Sequence, residues 1–487
     1  MLFSSITFLF YFLPVALALH WALPRGWRNG FLLAASLFFY AWGEPAYVLL
    51  MGFSILFNYL AGRLVRGRGS LALAVGVNLA LLGFFKYADF VVGNIRLLGA
   101  AGLEGPGLPL PIGISFYTFQ AISYQVDAYR GVVSGRRGLV GFGAYISLFP
   151  QLIAGPIVRL SGIEGELGGR ELSLEAFAAG VRLFVVGLGK KVLLANNIGL
   201  VWDYYAQADA GGLSVAGAWL GAVAFTFQIY FDFSGYSDMA VGLGRMLGFT
   251  FPRNFDYPYT ARSVTEFWRR WHMSLSSFFR DYLYIPLGGN RKGLAAQLRN
   301  ILCVWLLTGL WHGASWNFAA WGLYFGVLLI VEKLFLLRLL DGAPGWARRA
   351  YAMLLVVLSW VVFASESLSG AAAYLGAMFG LGGGAASGAV GTAGWLVDGR
   401  ALYLLRSNLV LLAILCAGST RLPAALGRAL AGRGGARLGG TAADGRGGAW
   451  RATAGAVLEV LWHGGVFALS VAFLISSSFN PFLYFRF

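Results

Sequence analysis

The sequence predicts an all-α polytopic membrane protein, and three observations carry that prediction. Of its 487 residues, 58% are hydrophobic and only 12% charged, whereas a soluble domain averages about 25% charged. Apolar runs of up to about 20 residues recur along the chain. Cations gather in the short segments between those runs. Backbone in lipid satisfies its hydrogen bonds within one segment only as a helix, so the spans are read as α-helices.

In chain order, spans are expected at Leu2 to Leu23, Gly30 to Trp42, Pro45 to Ala61, Leu71 to Val92, Gly138 to Val158, Ala176 to Val201, Leu213 to Phe233, Ile301 to Trp311, Trp316 to Leu336, Ala347 to Ala364, Leu402 to Cys416 and Gly455 to Ser476. Several are short, which gives about 11 to 13 crossings, with Pro109 to Tyr124 and Met239 to Phe251 as re-entrant or surface helices. The first run lacks a basic leader and a small-x-small cleavage site, so a retained helix is expected rather than a signal peptide.

Arg25 and Arg28 follow the first span, and Arg63, Arg66 and Arg68 follow the third, whereas the second and fourth are followed by few cations. That alternation places the N-terminus outside. The segment 421–452, with six arginines, one aspartate and much Gly and Ala, is expected to be a flexible cytoplasmic loop. The C-terminus then also lies outside. No soluble domain separates from the rest, and residues 1–487 are read as one membrane domain.

The formal charge of +16 would suggest nucleic acid in a soluble chain. Here the cations alternate with spans, so their partner is the inner leaflet. Cys303 and Cys416 have neither disulfide-framework nor zinc-site spacing. The 69 glycines fit close helix packing in lipid.

Two stretches carry chemistry. Within 252–299 lies a segment dense in Trp, Tyr, Phe and Arg, in which seven cations stand against Asp256, Glu266 and Asp281. By composition alone it is an interfacial segment at headgroup depth. The second stretch is Leu310-Trp311-His312-Gly313-Ala314, where an apolar run ends in an imidazole. An unpaired polar group in the bilayer costs several kcal/mol, so His312 is either a hydrogen-bonded structural residue or a working one. With Arg299 at the inner interface, 13 helical residues lift His312 about 20 Å into a core about 30 Å thick.

The aromatic-basic block, Gly309-Leu-Trp-His-Gly-Ala314, Pro111-Ile-Gly-Ile-Ser-Phe-Tyr-Thr-Phe-Gln120 and the ending Asn480-Pro-Phe-Leu-Tyr-Phe-Arg-Phe487 resemble the membrane-bound O-acyltransferase family, in its bacterial alginate O-acetyltransferase-like subgroup. The likeness extends over most of the chain and is weak from about Ala371 to Thr453. It implies a helical fold around a tunnel in the bacterial inner membrane. It also implies an acyl thioester donor on the cytoplasmic side, acetyl-CoA or an acyl carrier protein, with no bound cofactor or metal. The acceptor is then an exported polysaccharide such as alginate, and an outer-face serine esterase-like protein completes the transfer. Peptidoglycan, cellulose, teichoic acid and lipid are the alternative acceptors.

On that resemblance His312 is the expected general base, since a neutral imidazole offers a ring nitrogen to the acceptor hydroxyl's proton. His272, in Trp268-Arg-Arg-Trp-His272, is either substrate-orienting or simply packed. His20 and His463 are read as structural. Arg269, Arg270, Arg291 and Lys292 are expected to receive the donor's phosphates or a carrier protein's acidic face. Tyr484 is either an acyl relay, because a phenol leaves more readily than an alkanol, or an aromatic anchor. Asp127, Asp232 and Asp238 orient an imidazole or pair with arginine. Pro150 to Arg159 breaks a helix twice. Two other functional classes stand beside this one: a polysaccharide-precursor transporter using the membrane carboxylates and broken helices, and a scaffold that only docks the outer partner. Neither depends on His312.

Overall fold

A computed structural model describes residues 1–100, 102–133, 138–381, 395–427, 447–476 and 483, and the described residues form helices without strands. The α-helices are α1 (Leu13–Ala22), α2 (Arg28–Ala41), α3 (Val48–Leu64), α4 (Arg68–Leu97), α5 (Ile114–Tyr129), α6 (Leu139–Ser147), α7 (Phe149–Leu152), α8 (Leu160–Gly169), α9 (Leu174–Gly189), α10 (Asn196–Gln207), α11 (Val215–Met246), α12 (Val264–Arg270), α13 (Met273–Phe279), α14 (Leu294–His312), α15 (Trp316–Val331), α16 (Leu337–Asp341), α17 (Gly345–Ala364), α18 (Leu368–Met378), α19 (Gly399–Ser407), α20 (Leu409–Gly418) and α21 (Gly447–Ser476).

Among the described residues five helices are long and apolar enough to cross a membrane: α4, α11, α14, α17 and the part of α21 from Gly455. A sixth crossing arises if α19 and α20, bent by 59°, form one broken span. The other apolar runs become shorter or interrupted helices. The span expected at Gly138 to Val158 is instead broken: α6 ends at Ser147, α7 contains Pro150, and residues 153–159 are not helical, in the segment Pro150 to Arg159 where the sequence predicts a helix break.

Two readings are corrected. Met239 to Met246 is the continuation of α11 and not a separate re-entrant segment, because its glycines pack on another helix instead of ending their own. The expected loop 421–452 stops at α21, whose first turn starts at Gly447; residues 428–446 lie outside the described residues.

Helix α11 is buried along most of its length, and α9 lies against it through glycines on both sides. A Cβ on Gly180 would stand 2.6 Å from the Gly242 carbonyl oxygen, and one on Gly187 would stand 2.5 Å from that of Gly235. Where neighbouring lipid offers no hydrophobic contrast, such backbone approach is what holds helices together. Helices α14 and α15 form a hairpin built the same way, with Gly309 and Gly322 facing each other. It carries His312 to its bend.

Candidate active site

His312 is the last residue of α14. Gly313 follows in extended conformation, and a side chain there would strike the Phe318 ring at 2.1 Å, so glycine is needed for the hairpin to close. His312 is 8% exposed, and its ring is edge-on to Trp311, Trp321 and Phe363, with centroids 4.9, 5.1 and 5.3 Å away. No described residue makes a hydrogen bond to its ring nitrogens. An aromatic cage fixes the plane of the imidazole without spending its lone pair.

His272 is wholly buried and also packs near Trp311, its centroid 6.1 Å from that ring. Its backbone is left-handed, φ +45°, a strained conformation for a residue with a β-carbon. Nδ1 lies 3.2 Å from the Asn254 Oδ1. The same oxygen accepts the Ser274 N–H, a group that only donates, so His272 must hold its proton on Nδ1. Burial pushes this imidazole down to about 3, which keeps it neutral. Ser274 Oγ in turn accepts the Ile157 N–H at 3.0 Å, tying the site to the broken segment after α7.

The aromatic-basic block is drawn inward. Trp268 packs on Trp305, Trp321 and Phe325, and Trp271 packs on Trp360 at 5.0 Å. What anchors α12 there is Glu332, fully buried beyond the end of α15. Its carboxylate accepts the N–H groups of Val264 and Thr265 at 2.7 Å, the Thr265 hydroxyl at 2.6 Å and the Tyr351 hydroxyl at 3.1 Å. A carboxylate on the first amides of a helix meets donors that the helix cannot satisfy itself. Asp281, further along, pairs with Arg159 at 2.8 Å. Burial disfavours its charge, but Arg280 and Arg159 outweigh that and hold its pKa below the usual carboxylate value.

A cavity of about 640 Å³ opens between α12, α16 and the start of α17, lined by Arg262, Arg270, Arg348, Arg349 and Arg421 against Glu266 and Asp341. Arg270 also pairs with Glu266 at 2.6 Å. Of the four cations expected at the donor, only Arg270 lines this cavity; Arg269, Arg291 and Lys292 do not, and all three are exposed.

Two of the three membrane carboxylates, Asp232 and Asp238, pair with lysines rather than arginines. Lys191 holds Asp232 at 2.8 Å, both buried, and Lys190 holds Asp238 at 2.6 Å. Asp127 accepts the Tyr282 hydroxyl at 2.9 Å. Asp232 has a second partner, the N–H of Leu483 at 3.0 Å, and Leu483 is itself buried. Tyr484 lies outside the described residues. His20 is buried against the Leu247 carbonyl, and the partly exposed His463 contacts the Glu459 carbonyl of its own helix.

Residues 114–370 match the family model described as MBOAT, membrane-bound O-acyltransferase family. The chain belongs to this family. It is similar to "Probable alginate O-acetylase AlgI" of Pseudomonas putida, 45% identical over 395 residues that make up 78% of this chain and 81% of that protein. It also resembles the peptidoglycan O-acetyltransferase of Helicobacter pylori, at 36% over 425 residues, 79% of this chain and 80% of that one. The teichoic acid D-alanyltransferase of Streptococcus thermophilus is 30% identical over 242 residues, 46% of this chain and 57% of that one.

In this membrane O-acyltransferase the structure brings the candidate residues His312 and His272 against one ring, Trp311. The sequence reading misses Lys86, whose ammonium donates to the carbonyl oxygens of Trp311 and His312, and Glu332. Both signals were present in the sequence: Lys86 is the sole cation between Arg68 and Arg96, and Glu332 is the first charge after Arg299, apart from histidine. An ionisable residue inside an apolar run is a functional-site hypothesis by default.

Proposed function

We propose that this O-acyltransferase moves an acetyl group from a cytoplasmic thioester to a hydroxyl of an exported polysaccharide, with His312 as the general base. The observation that carries the reading is the caged imidazole at the bend of the α14–α15 hairpin, whose ring nitrogens no described residue bonds. A structural histidine buried among indoles would spend its nitrogens on partners. Names of the similar proteins support an acetyl group and a cell-envelope polymer, with alginate the favoured acceptor.

In the step we propose, His312 takes the proton of the acceptor hydroxyl as its oxygen bonds to the thioester carbon. The carbonyl electrons move onto oxygen, and their return breaks the C–S bond. The thiolate leaves and takes the proton back from the imidazolium, so ester and thiol are formed and the base is restored. His272, held by Asn254 and 6.1 Å from the Trp311 ring, is the orienting group in this reading.

The arginine cavity supports a phosphate-bearing donor. The start of α14, the end of α15 with α16, and the start of α17 lie at one end of the hairpin, and cations dominate there, which supports a cytoplasmic placement. From Arg348 to Phe363, which touches the His312 ring, α17 runs about 22 Å. An extended pantetheine arm bridges a gap of that order, from phosphates at the arginines to a thioester at the imidazole. Arg349→Glu is therefore expected to raise the KM for acetyl-CoA about tenfold, one lost contact's worth, without lowering kcat at saturation. An unchanged KM for acetyl-CoA with a raised one for the carrier-protein thioester would assign the cavity to the carrier instead.

The buried amide of Leu483 on Asp232 supports a second element, a relay in which Tyr484 accepts the acetyl group and hands it to an outer esterase-like partner. Tyr484→Phe keeps the ring and removes the nucleophile. It is expected to leave slow thioester hydrolysis intact while transfer to polymer falls to background; full polymer transfer by that variant rejects the relay. The core reading is tested with purified protein in proteoliposomes and labelled acetyl thioester, by following label into thiol release and polymer. Thioester consumption that is indifferent to His312 favours a transporter.

A further inference from the structure

Lys86 stands in mid-span on α4, where a charge is expensive and calls for a partner. Among the described residues no carboxylate pairs with it. Asp89, three residues on, accepts the Gly107 N–H at its Oδ1. The partners of Lys86 are two backbone oxygens, those of Trp311 at 2.5 Å and of His312 at 3.2 Å. Next to it, the Tyr87 hydroxyl donates to the Leu310 carbonyl at 2.7 Å. Three successive carbonyls at the end of α14 thus receive donors from one turn of α4.

Those carbonyls need them. The last four C=O groups of a helix have no intrahelical donor, and here Gly313 turns away at φ −162°, ψ 153°, so the chain supplies no capping turn. A cation at a helix C-terminus also meets the negative end of the helix dipole. The ammonium lies 5.9 Å from the centroid of the Trp311 ring, the ring that both imidazoles neighbour.

We infer that Lys86 is a positioning residue for the acyl transfer, a charged clamp that fixes the end of α14 and with it the place and direction of the His312 imidazole. This rests on the reading of His312 as the base. The clamp acts on the backbone of the very residue that takes the proton, and a misplacement of about 1 Å at a reacting group lowers rates about 100-fold. Donor binding at the arginine cavity, at the other end of α17, is independent of it. One N–H of the ammonium is left over after two carbonyls.

The test compares Lys86→Met, which keeps the length of the chain and removes charge and donors, with Lys86→Gln, which keeps neutral donors, and Lys86→Arg, which keeps both. In proteoliposomes with labelled acetyl-CoA, Lys86→Met is expected to lose about 10- to 100-fold in kcat per folded molecule. Its KM for acetyl-CoA stays at the wild-type value, and Lys86→Arg recovers most of the rate. A purely structural lysine would instead lower the yield and melting temperature of folded protein and leave kcat per folded molecule alone. Should Lys86→Met fail to fold, Lys86→Gln decides: a tenfold lower kcat at unchanged KM supports the clamp, and a wild-type kcat overturns it. His312→Ala is assayed beside them. If it abolishes transfer while Lys86→Met works normally, the clamp is wrong and the base stands; if His312→Ala itself works normally, the reading of the base falls first.

Discussion

Acetyl transfer by the His312→Ala protein is expected to fall by about 10²- to 10⁴-fold, the usual worth of a positioned general base. The loss should appear in kcat and leave the KM for the thioester nearly unchanged, because the donor's phosphates are assigned to arginines at the opposite end of α17. The fold should survive. No described residue depends on the imidazole for a hydrogen bond, and the rings of Trp321 and Phe363 pack on each other at 5.1 Å without it. Melting temperature and elution volume check that point, and His312→Gln, which keeps polarity but no basic nitrogen, should be as inactive as the alanine variant. Retained activity in a folded His312→Gln protein would remove the base from the mechanism.

Gly309→Val is expected to be the most damaging single substitution at the site that adds only apolar atoms. A Cβ there would lie 2.2 Å from the Phe318 carbonyl oxygen and 3.0 Å from Gly322. Both neighbours are backbone, so neither can swing aside, and α14 and α15 must part by an ångström or more. Overpacking of this kind costs roughly 1–3 kcal/mol, visible as a lowered melting temperature. Activity should fall further than stability, by about 100-fold, since His312 stands one turn beyond Gly309 and moves with the helix. Gly83→Ala on α4 is the control: nothing lies within 4 Å of its added carbon, and an exchange of glycine for alanine there should be neutral or mildly stabilising. Equal activities for the two variants would show that the hairpin crossing does not set the position of the base.

How far the site could be read in the sequence depends on how local its determinants are. His312 lies in a short motif and is marked by being polar at the end of an apolar run, so it was legible. Asn254 and His272 are 18 residues apart in one segment, and nothing local says that one amide oxygen sets the tautomer of the other ring. The arginine cavity draws on positions 262, 270, 348, 349 and 421, and of the cations expected at the donor only Arg270 is among them. Charge counting recognises a basic end of the molecule but does not say which guanidiniums share a space. The lysine partners of Asp232 and Asp238 were missed for the same reason: arginine outnumbers lysine in the chain, yet the lysines at the junction of α9 and α10 are the ones that face α11.

What the sequence determined by itself is the helical membrane class, the acyltransferase family and the imidazole that stands out in its apolar surroundings, because hydropathy, helix length and short motifs are properties of contiguous residues. Tertiary structure alone decided that Lys86 meets the end of α14, that Glu332 holds α12, and that the backbone at Leu483 lies on Asp232. Each of these is a polar group in a low-dielectric interior that must find a partner. Where that partner lies depends on which helix backbones their glycines allow to touch, and that is settled only when the whole chain has packed.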